Sequence, residues 1–358
     1  MLGYSPKEKG IRVIKIGLNG FGRIGRALTR QILSSENLQL VAVNDLESDL
    51  GNLAYLLEFD SVYGTFSEKV KIDGNKMLIR NKEINFYSCK KIGEVPWDKN
   101  NVDILIEATG SSENVTNSRY LIESNMVKKV LVTNNDKNVD LTVIMSVNES
   151  DYNPQKHSII SGSICDANAI APALKILCDN FKLESVFVTT LHPWLNYQNL
   201  LDSTVSSISN PGHNWKDYSL GRSSIGNLII KETTAAEATI TVIPELDGKM
   251  EAVSFRVPTN NVAVSDISIF LNEEVEITDV YEIFEDAENL WPDIFMLNQL
   301  SLVSSDFSKL TQSCIIEKRF IKLINKKHLK LIIWYDNEWA FCKRILDICY
   351  YIDSKESL

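Results

Sequence analysis

Three features of this sequence could do chemistry: a cysteine, a histidine and a glycine string. Cys165 stands just before residues 167–181, a run with helical spacing. A thiol at a helix N-terminus sees unpaired N–H groups and the positive end of the dipole, which favour the nucleophilic thiolate. His192 follows 27 residues later, at the end of the strand-like run 185–191. Helix, turn and strand over that distance can return an imidazole to the thiol, as a nucleophile and its base require. On spacing alone, a buried cysteine and a strand-end histidine with structural roles only remain an open alternative.

The third feature is Gly20-Phe21-Gly22-Arg23-Ile24-Gly25, a G-x-G-x-x-G string between a strand-like run, 12–19, and a helix-like run, 23–34. Its glycines allow a tight turn and close backbone approach, and the helix N-terminus near Arg23 can hold a pyrophosphate. Asp45 lies 20 positions after Gly25, at the end of the next strand-like run, 38–45. A carboxylate there accepts hydrogen bonds from a ribose 2′-OH and repels a 2′-phosphate, so NAD is expected rather than NADP. The blander alternative is a glycine-rich turn with Asp45 as a helix cap.

These residues need elements to position them. After the helix-like run 49–59 and a meander over 70–72, 77–79 and 84–87, strand signals return at 102–107, 129–133 and 141–147. Buried strands alternating with helices imply a largely parallel, doubly wound sheet. Beyond the helix 167–181, strand-like alternation marks 185–191, 239–243, 250–257 and 262–271, with a loop over 202–222. That pattern suits an antiparallel sheet with one covered face. A strand over 329–334 and a helix over 338–352 close the chain. It reads as α/β: a Rossmann dinucleotide-binding domain, 1–164, completed by the C-terminal helix 338–358. An α+β catalytic domain with a mostly antiparallel sheet spans 165–337.

Composition excludes other classes. The 358 residues suggest two domains, and 44% hydrophobic with 23% charged residues is a globular balance. With 37 Lys+Arg against 47 Asp+Glu, the net charge of −10 argues against nucleic acid or an anionic membrane as partner. No apolar run approaches the roughly 18–20 residues that span a bilayer. Residues 1–10 are polar, so no secretory signal is expected and the expected location is cytoplasmic. The six cysteines form no C-x-x-C pair and do not cluster with the four histidines, so no metal is expected.

Several strings together resemble one family. They are Asn19-Gly20-Phe21-Gly22-Arg23-Ile24-Gly25-Arg26, Val43-Asn44-Asp45, YLLEFDSVYG at 55–64, Glu107-Ala108-Thr109-Gly110, and Cys165-x-x-Asn168 followed by Ala171-Pro172. Further on come Thr189-Thr190-Leu191-His192, Pro244-Glu245-Leu246-Asp247-Gly248-Lys249, Phe255-Arg256-Val257-Pro258-Thr259 and Trp334-Tyr335-Asp336-Asn337-Glu338-Trp339. The chain resembles phosphorylating glyceraldehyde-3-phosphate dehydrogenase along nearly its whole length. The resemblance implies NAD-dependent oxidation of a phosphorylated aldehyde through a thioester on Cys165, with His192 as base. It also implies cofactor roles for Thr109 and for Asn337, which would orient the nicotinamide. Thr233 and Arg256 would bind substrate, and the assembly would be a homotetramer.

The sequence departs from that family at its anion sites. Asp166 replaces the usual Thr after the nucleophile, and a carboxylate there would repel phosphate and disfavour the thiolate. Ile164 replaces Ser, Leu195 replaces a Thr, and Thr234 replaces the glycine after Thr233. Leu220 stands where a family arginine is expected, with Lys216 a possible substitute in a loop roughly ten residues longer than usual. Near the C-terminus, Ala340-Phe341 replaces Gly-Tyr. Three readings therefore stand: a phosphorylating dehydrogenase, a non-phosphorylating relative similar to erythrose-4-phosphate dehydrogenase, or a paralogue that keeps the fold for regulation or binding.

Overall fold

A computed structural model describes residues 12–205 and 217–356. The expected N-terminal segment 1–10 and the centre of the loop 202–222, with Lys216, lie outside the described residues.

Apolar strands buried on both faces build the first sheet. Its nine strands run in the order Leu141–Thr142, Ile159–Ser161, Lys129–Val132, Ile104–Glu107, Ile14–Asn19, Leu38–Asn44, Lys82–Tyr87, Lys76–Ile79, Val70–Asp73. Every pairing from Leu141–Thr142 to Lys82–Tyr87 is parallel, and the last two strands return antiparallel as the meander. The first helix, Arg23–Leu33, buries Ala27, Leu28, Ile32 and Leu33 against this sheet. The last helix, Trp339–Glu356, joins the same core through Ile345, Ile348, Cys349 and Ile352. Covered on both faces, this is a Rossmann sheet.

Among the described residues the second sheet has eight strands. Seven run in the order Ile229–Lys231, Met250–Val257, Leu183–Pro193, Ala263–Leu271, His328–Tyr335, Cys314–Glu317, Phe295–Asn298, and Lys322–Ile324 pairs with His328–Tyr335. Leu183–Pro193 lies parallel to Met250–Val257 and Phe295–Asn298 parallel to Cys314–Glu317, while the remaining pairings are antiparallel. One face is covered by the helices Cys165–Asn180, Ala235–Val242 and Ile277–Leu290. The whole is α/β with an α+β second part.

Two expected strands are corrected. Residues 239–242 belong to the helix Ala235–Val242, with Ile243 as its C-cap, and the buried Ala235, Ala238, Thr239 and Val242 recur with helical spacing. The β-branched Thr, Ile and Val of that run imitate a strand, but packing against Cys165–Asn180 decides the outcome. The expected strand 141–147 ends at Thr142, because the Asn148 side chain closes a turn. Its Oδ1 accepts from the Ile144 N–H at 3.0 Å and its Nδ2 donates to the Thr142 carbonyl at 2.9 Å. Helix Ile277–Leu290 and strands Phe295–Asn298 and Cys314–Glu317 have no counterpart in the sequence reading. Among the described residues, no helix is long and apolar enough to cross a membrane.

Candidate active site

The backbone before Cys165 is bent sharply. Ser163 takes a left-handed φ of 61°, uncommon for a residue with a side chain, and Ile164 returns to extended geometry as the helix cap. Asn168 holds this bend by donating from Nδ2 to the carbonyls of Gly162 at 2.8 Å and Ile164 at 3.0 Å. Cys165 is thereby the first residue of its helix, half-buried at the wall of a cavity of about 1470 Å³.

His192 comes from the end of the strand Leu183–Pro193, and its Nε2 lies 3.7 Å from Cys165 Sγ. Its Nδ1 is 2.8 Å from the Pro193 carbonyl. In the tautomer that satisfies this bond Nδ1–H donates, and the Nε2 lone pair faces the thiol. Burial, reinforced by the charge of Arg256, lowers the imidazole pKa to about 4. Burial also pushes the Cys165 thiol well above 9, with Asp166 adding to the shift. The pair therefore rests as thiol and neutral imidazole, with Nε2 placed to take the proton as sulfur attacks.

Asp166 is buried and aimed inward. Its Oδ1 accepts from the Tyr335 hydroxyl at 2.8 Å and from the Cys165 thiol at 3.5 Å, and lies 4.0 Å from His192 Nε2. The expectation that this carboxylate disfavours the thiolate thus acquires a geometry. Tyr335 escaped the sequence reading, although it sits inside the C-terminal Trp334–Trp339 string; an aromatic hydroxyl two residues before Asn337 was the available signal.

The same cavity extends to the glycine string, lined there by Gly20, Gly22, Ile24, Asp45, Thr109 and Asn337. Gly20 has φ +98°, and a Cβ on it would come 2.9 Å from the Ala108 backbone; a Cβ on Gly25 would come 2.2 Å from the Gly20 carbonyl. At Gly22 nothing lies within 4 Å, leaving room for a ligand to reach backbone. Asp45 Oδ2 accepts from the Phe21 N–H at 2.6 Å and Oδ1 from the Glu47 N–H at 2.9 Å. A carboxylate has about four lone-pair sites, so capacity for a ribose diol remains. Asn337 Oδ1 is buried without a partner, the kind of orphan that a nicotinamide carboxamide would satisfy. Asp336 fixes that asparagine's turn by accepting from the N–H groups of Glu338 and Trp339 at 3.0 and 2.7 Å, a role the sequence reading missed. These residues fit a dinucleotide.

Arg23 fits only through its backbone. Its guanidinium is held by Asp60 at 2.5 Å and Glu338 at 2.5 Å, tying the first helix to the last. Thr109 donates from both N and Oγ1 to the buried Glu107.

Comparison with known proteins agrees with this geometry. Residues 14–115 match the NAD binding domain, and residues 164–337 the C-terminal domain, of glyceraldehyde 3-phosphate dehydrogenase. The chain is 35% identical to the glyceraldehyde-3-phosphate dehydrogenase of Priestia megaterium and equally to that of Geobacillus stearothermophilus. Each alignment covers 96% of this chain and 99% of the relative. It is 33% identical to glyceraldehyde-3-phosphate dehydrogenase 1 of Kluyveromyces marxianus, over 95% of this chain and 100% of that one. The chain belongs to the glyceraldehyde-3-phosphate dehydrogenase family. It is an NAD-dependent oxidoreductase of that type.

In this glyceraldehyde-3-phosphate dehydrogenase family member, a group of cationic side chains lies beside His192. Arg256 is the register partner of His192 on the neighbouring parallel strand. Its buried guanidinium leaves Nε and Nη1 unpartnered, while Nη2 donates to the Tyr197 hydroxyl at 3.4 Å. Lys231 Nζ reaches the same hydroxyl at 3.3 Å. Burial alone would raise the Tyr197 hydroxyl, but Arg256 and Lys231 bring it below its ordinary value. Sequence reasoning missed Tyr197 and Lys231, each lying within a few residues of a position it did single out. Thr233 Oγ1 accepts from the Ala235 N–H at 3.2 Å, at the start of the helix Ala235–Val242, and its hydroxyl proton is left to donate. Leu220 is buried and apolar, so the missing arginine has no replacement at that position.

Proposed function

We propose that the protein oxidises a phosphorylated aldehyde, with glyceraldehyde 3-phosphate as reference substrate, through a thioester on Cys165. The reading is carried by the Cys165–His192 pair, 3.7 Å apart, at the wall of the cavity that the glycine string enters. Attack forms the sulfur–carbon bond while the thiol proton passes to His192 Nε2, and the carbonyl π pair moves to oxygen, giving a hemithioacetal oxyanion beside the imidazolium. Bound NAD supplies the acceptor for the hydride that leaves the substrate carbon. His192 orients the oxygen and holds the proton, and the backbone bend at Ser163 keeps sulfur at the helix start. Inorganic phosphate then takes the acyl group from sulfur, and Cys165 is regenerated.

In this reading residues 1–164 with 338–358 hold the cofactor, and residues 165–337 hold the substrate. Gly20, Gly22, Ile24, Gly25, Asp45, Thr109 and Asn337 line or shape the cofactor cradle, and Arg23 offers its N–H. The relatives compared above all bear the glyceraldehyde-3-phosphate dehydrogenase name, so the erythrose-4-phosphate alternative is not favoured. The assembled Cys–His pair supports turnover over a paralogue without it. A cytoplasmic homotetramer is part of the proposal. The open face of the second sheet supports assembly, since Phe187, Leu191, Ile230 and Phe270 expose apolar surface there.

The test is NADH formation from purified protein with NAD, glyceraldehyde 3-phosphate and phosphate. Phosphate-dependent NADH is expected; no NADH from any phosphorylated aldehyde would overturn the proposal. Arg256 allows a second prediction. A charge-assisted hydrogen bond contributes about 1.5–3 kcal/mol, so Arg256→Leu should raise the aldehyde KM by about 10- to 100-fold. An unphosphorylated aldehyde should show little change, and equal losses for both substrates would remove Arg256 from the phosphate site.

A further inference from the structure

We propose that Cys165, Asp166 and His192 form a chelating site for a borderline-soft divalent cation of the zinc class. One donor atom from each residue lies within 4.8 Å of the other two. Sγ is 3.7 Å from Nε2 and 3.5 Å from Oδ1, and Nε2 is 4.0 Å from Oδ1. Tetrahedral zinc, with bonds of about 2.0–2.3 Å, separates such donors by roughly 3.3–3.6 Å. Sγ–Oδ1 already matches, Sγ–Nε2 at 3.7 Å is about 0.1 Å too long, and a side-chain shift of roughly 0.6 Å closes the third.

The donor set selects the ion. Thiolate and imidazole discriminate against magnesium and calcium, which need oxygen ligands, and suit zinc. Three protein ligands with one open position describe a zinc site accessible to a small molecule rather than a closed structural one. Cys165 and His192 both line the cavity, so the fourth position faces space a water can fill. Each ligand is also oriented from behind. The Nδ1–H bond to the Pro193 carbonyl presents the Nε2 lone pair; the Tyr335 hydroxyl holds one lone pair of Asp166 Oδ1, and loss of the thiol proton frees the other.

Asp166 turns a catalytic pair into a ligand triad. On binding, the sulfur–metal bond forms as the thiol proton is released to solvent, while imidazole and carboxylate each contribute a lone pair. A metal-bound sulfur does not attack an aldehyde, so the cation acts as a reversible off-switch. That consequence rests on Cys165 being the nucleophile proposed above; binding itself does not.

The experiment titrates Zn²⁺ alone into full-length protein against a chromophoric chelator, without NAD or aldehyde. One equivalent per chain is expected, weakened at least about tenfold by Asp166→Asn and by His192→Gln. Circular dichroism establishes that each variant is folded, and Asp166→Asn keeps an acceptor for Tyr335. Co²⁺ should give a thiolate-to-metal charge-transfer band that Cys165→Ser abolishes and Cys178→Ser retains. Equal affinity in folded Asp166→Asn, or a band that survives Cys165→Ser, would overturn the site. A band in protein that makes no NADH would keep the site and sink only the catalytic reading.

Discussion

Cys165→Ser is expected to reduce NADH formation by at least about 10⁴-fold, with NAD affinity unchanged. The serine hydroxyl is a far weaker acid than the thiol, and the imidazole that faces it has a pKa of about 4. Such a base can receive the proton that a thiol gives up as its sulfur attacks; it cannot raise an alkoxide. The product of attack would also be an ester, a poorer acyl donor to phosphate than a thioester. His192→Asn alone should cost about 10²–10⁴-fold, the usual contribution of a general base. The double variant should be no worse than Cys165→Ser, because residues acting in one proton transfer are not additive. Initial rates by NADH absorbance and NAD binding by calorimetry check both statements. Residual turnover in Cys165→Ser above one thousandth of the parent rate would refute the nucleophile.

The two halves of the site differ in how far they could be read from sequence. The cofactor cradle is local: strand, glycines and helix are contiguous, and Gly20, Gly22 and Gly25 fit because each meets or avoids nearby backbone. The parallel strands of the first sheet are legible because burial on both faces leaves near-continuous apolar runs. The Cys165–His192 pair was legible only as a possibility, since 27 residues of spacing permit a meeting without requiring one. Other parts depend on distant partners. Strands Phe295–Asn298 and Cys314–Glu317 are four residues each and exist because His328–Tyr335 offers an edge. Asp166 was visible as a misplaced charge, but its direction comes from Tyr335, 169 residues away.

That direction makes Asp166→Asn the sharpest probe of the site, and it is expected to make Cys165 more reactive. A unit charge about 4 Å away shifts an ionisation by up to about 4 kcal/mol at an effective dielectric near 20, an upper limit for this contact. The thiol also loses a hydrogen-bond acceptor that holds its proton. A fall in the thiol pKa is the expected result, and a partial one, since burial, the larger cause of the raised value, persists in the variant. The sign follows from which form reacts. In the parent, burial and Asp166 hold the thiol above its ordinary range, so alkylation by iodoacetamide should still be climbing as pH rises from 7 to 9. In the variant the same climb should begin at lower pH, giving alkylation at pH 8 that is faster by at least about tenfold. Stability follows the same linkage: a thiol pKa raised by folding destabilises the native state as pH rises above 9, and the variant should lose less stability there. The measurements belong in chelator-treated buffer, so that no cation occupies the sulfur. Phosphate-dependent NADH formation should rise with the alkylation rate if the carboxylate also repels the incoming anion. An alkylation midpoint that does not move would show that burial alone sets the thiol, and Asp166 would then act on phosphate or on nothing.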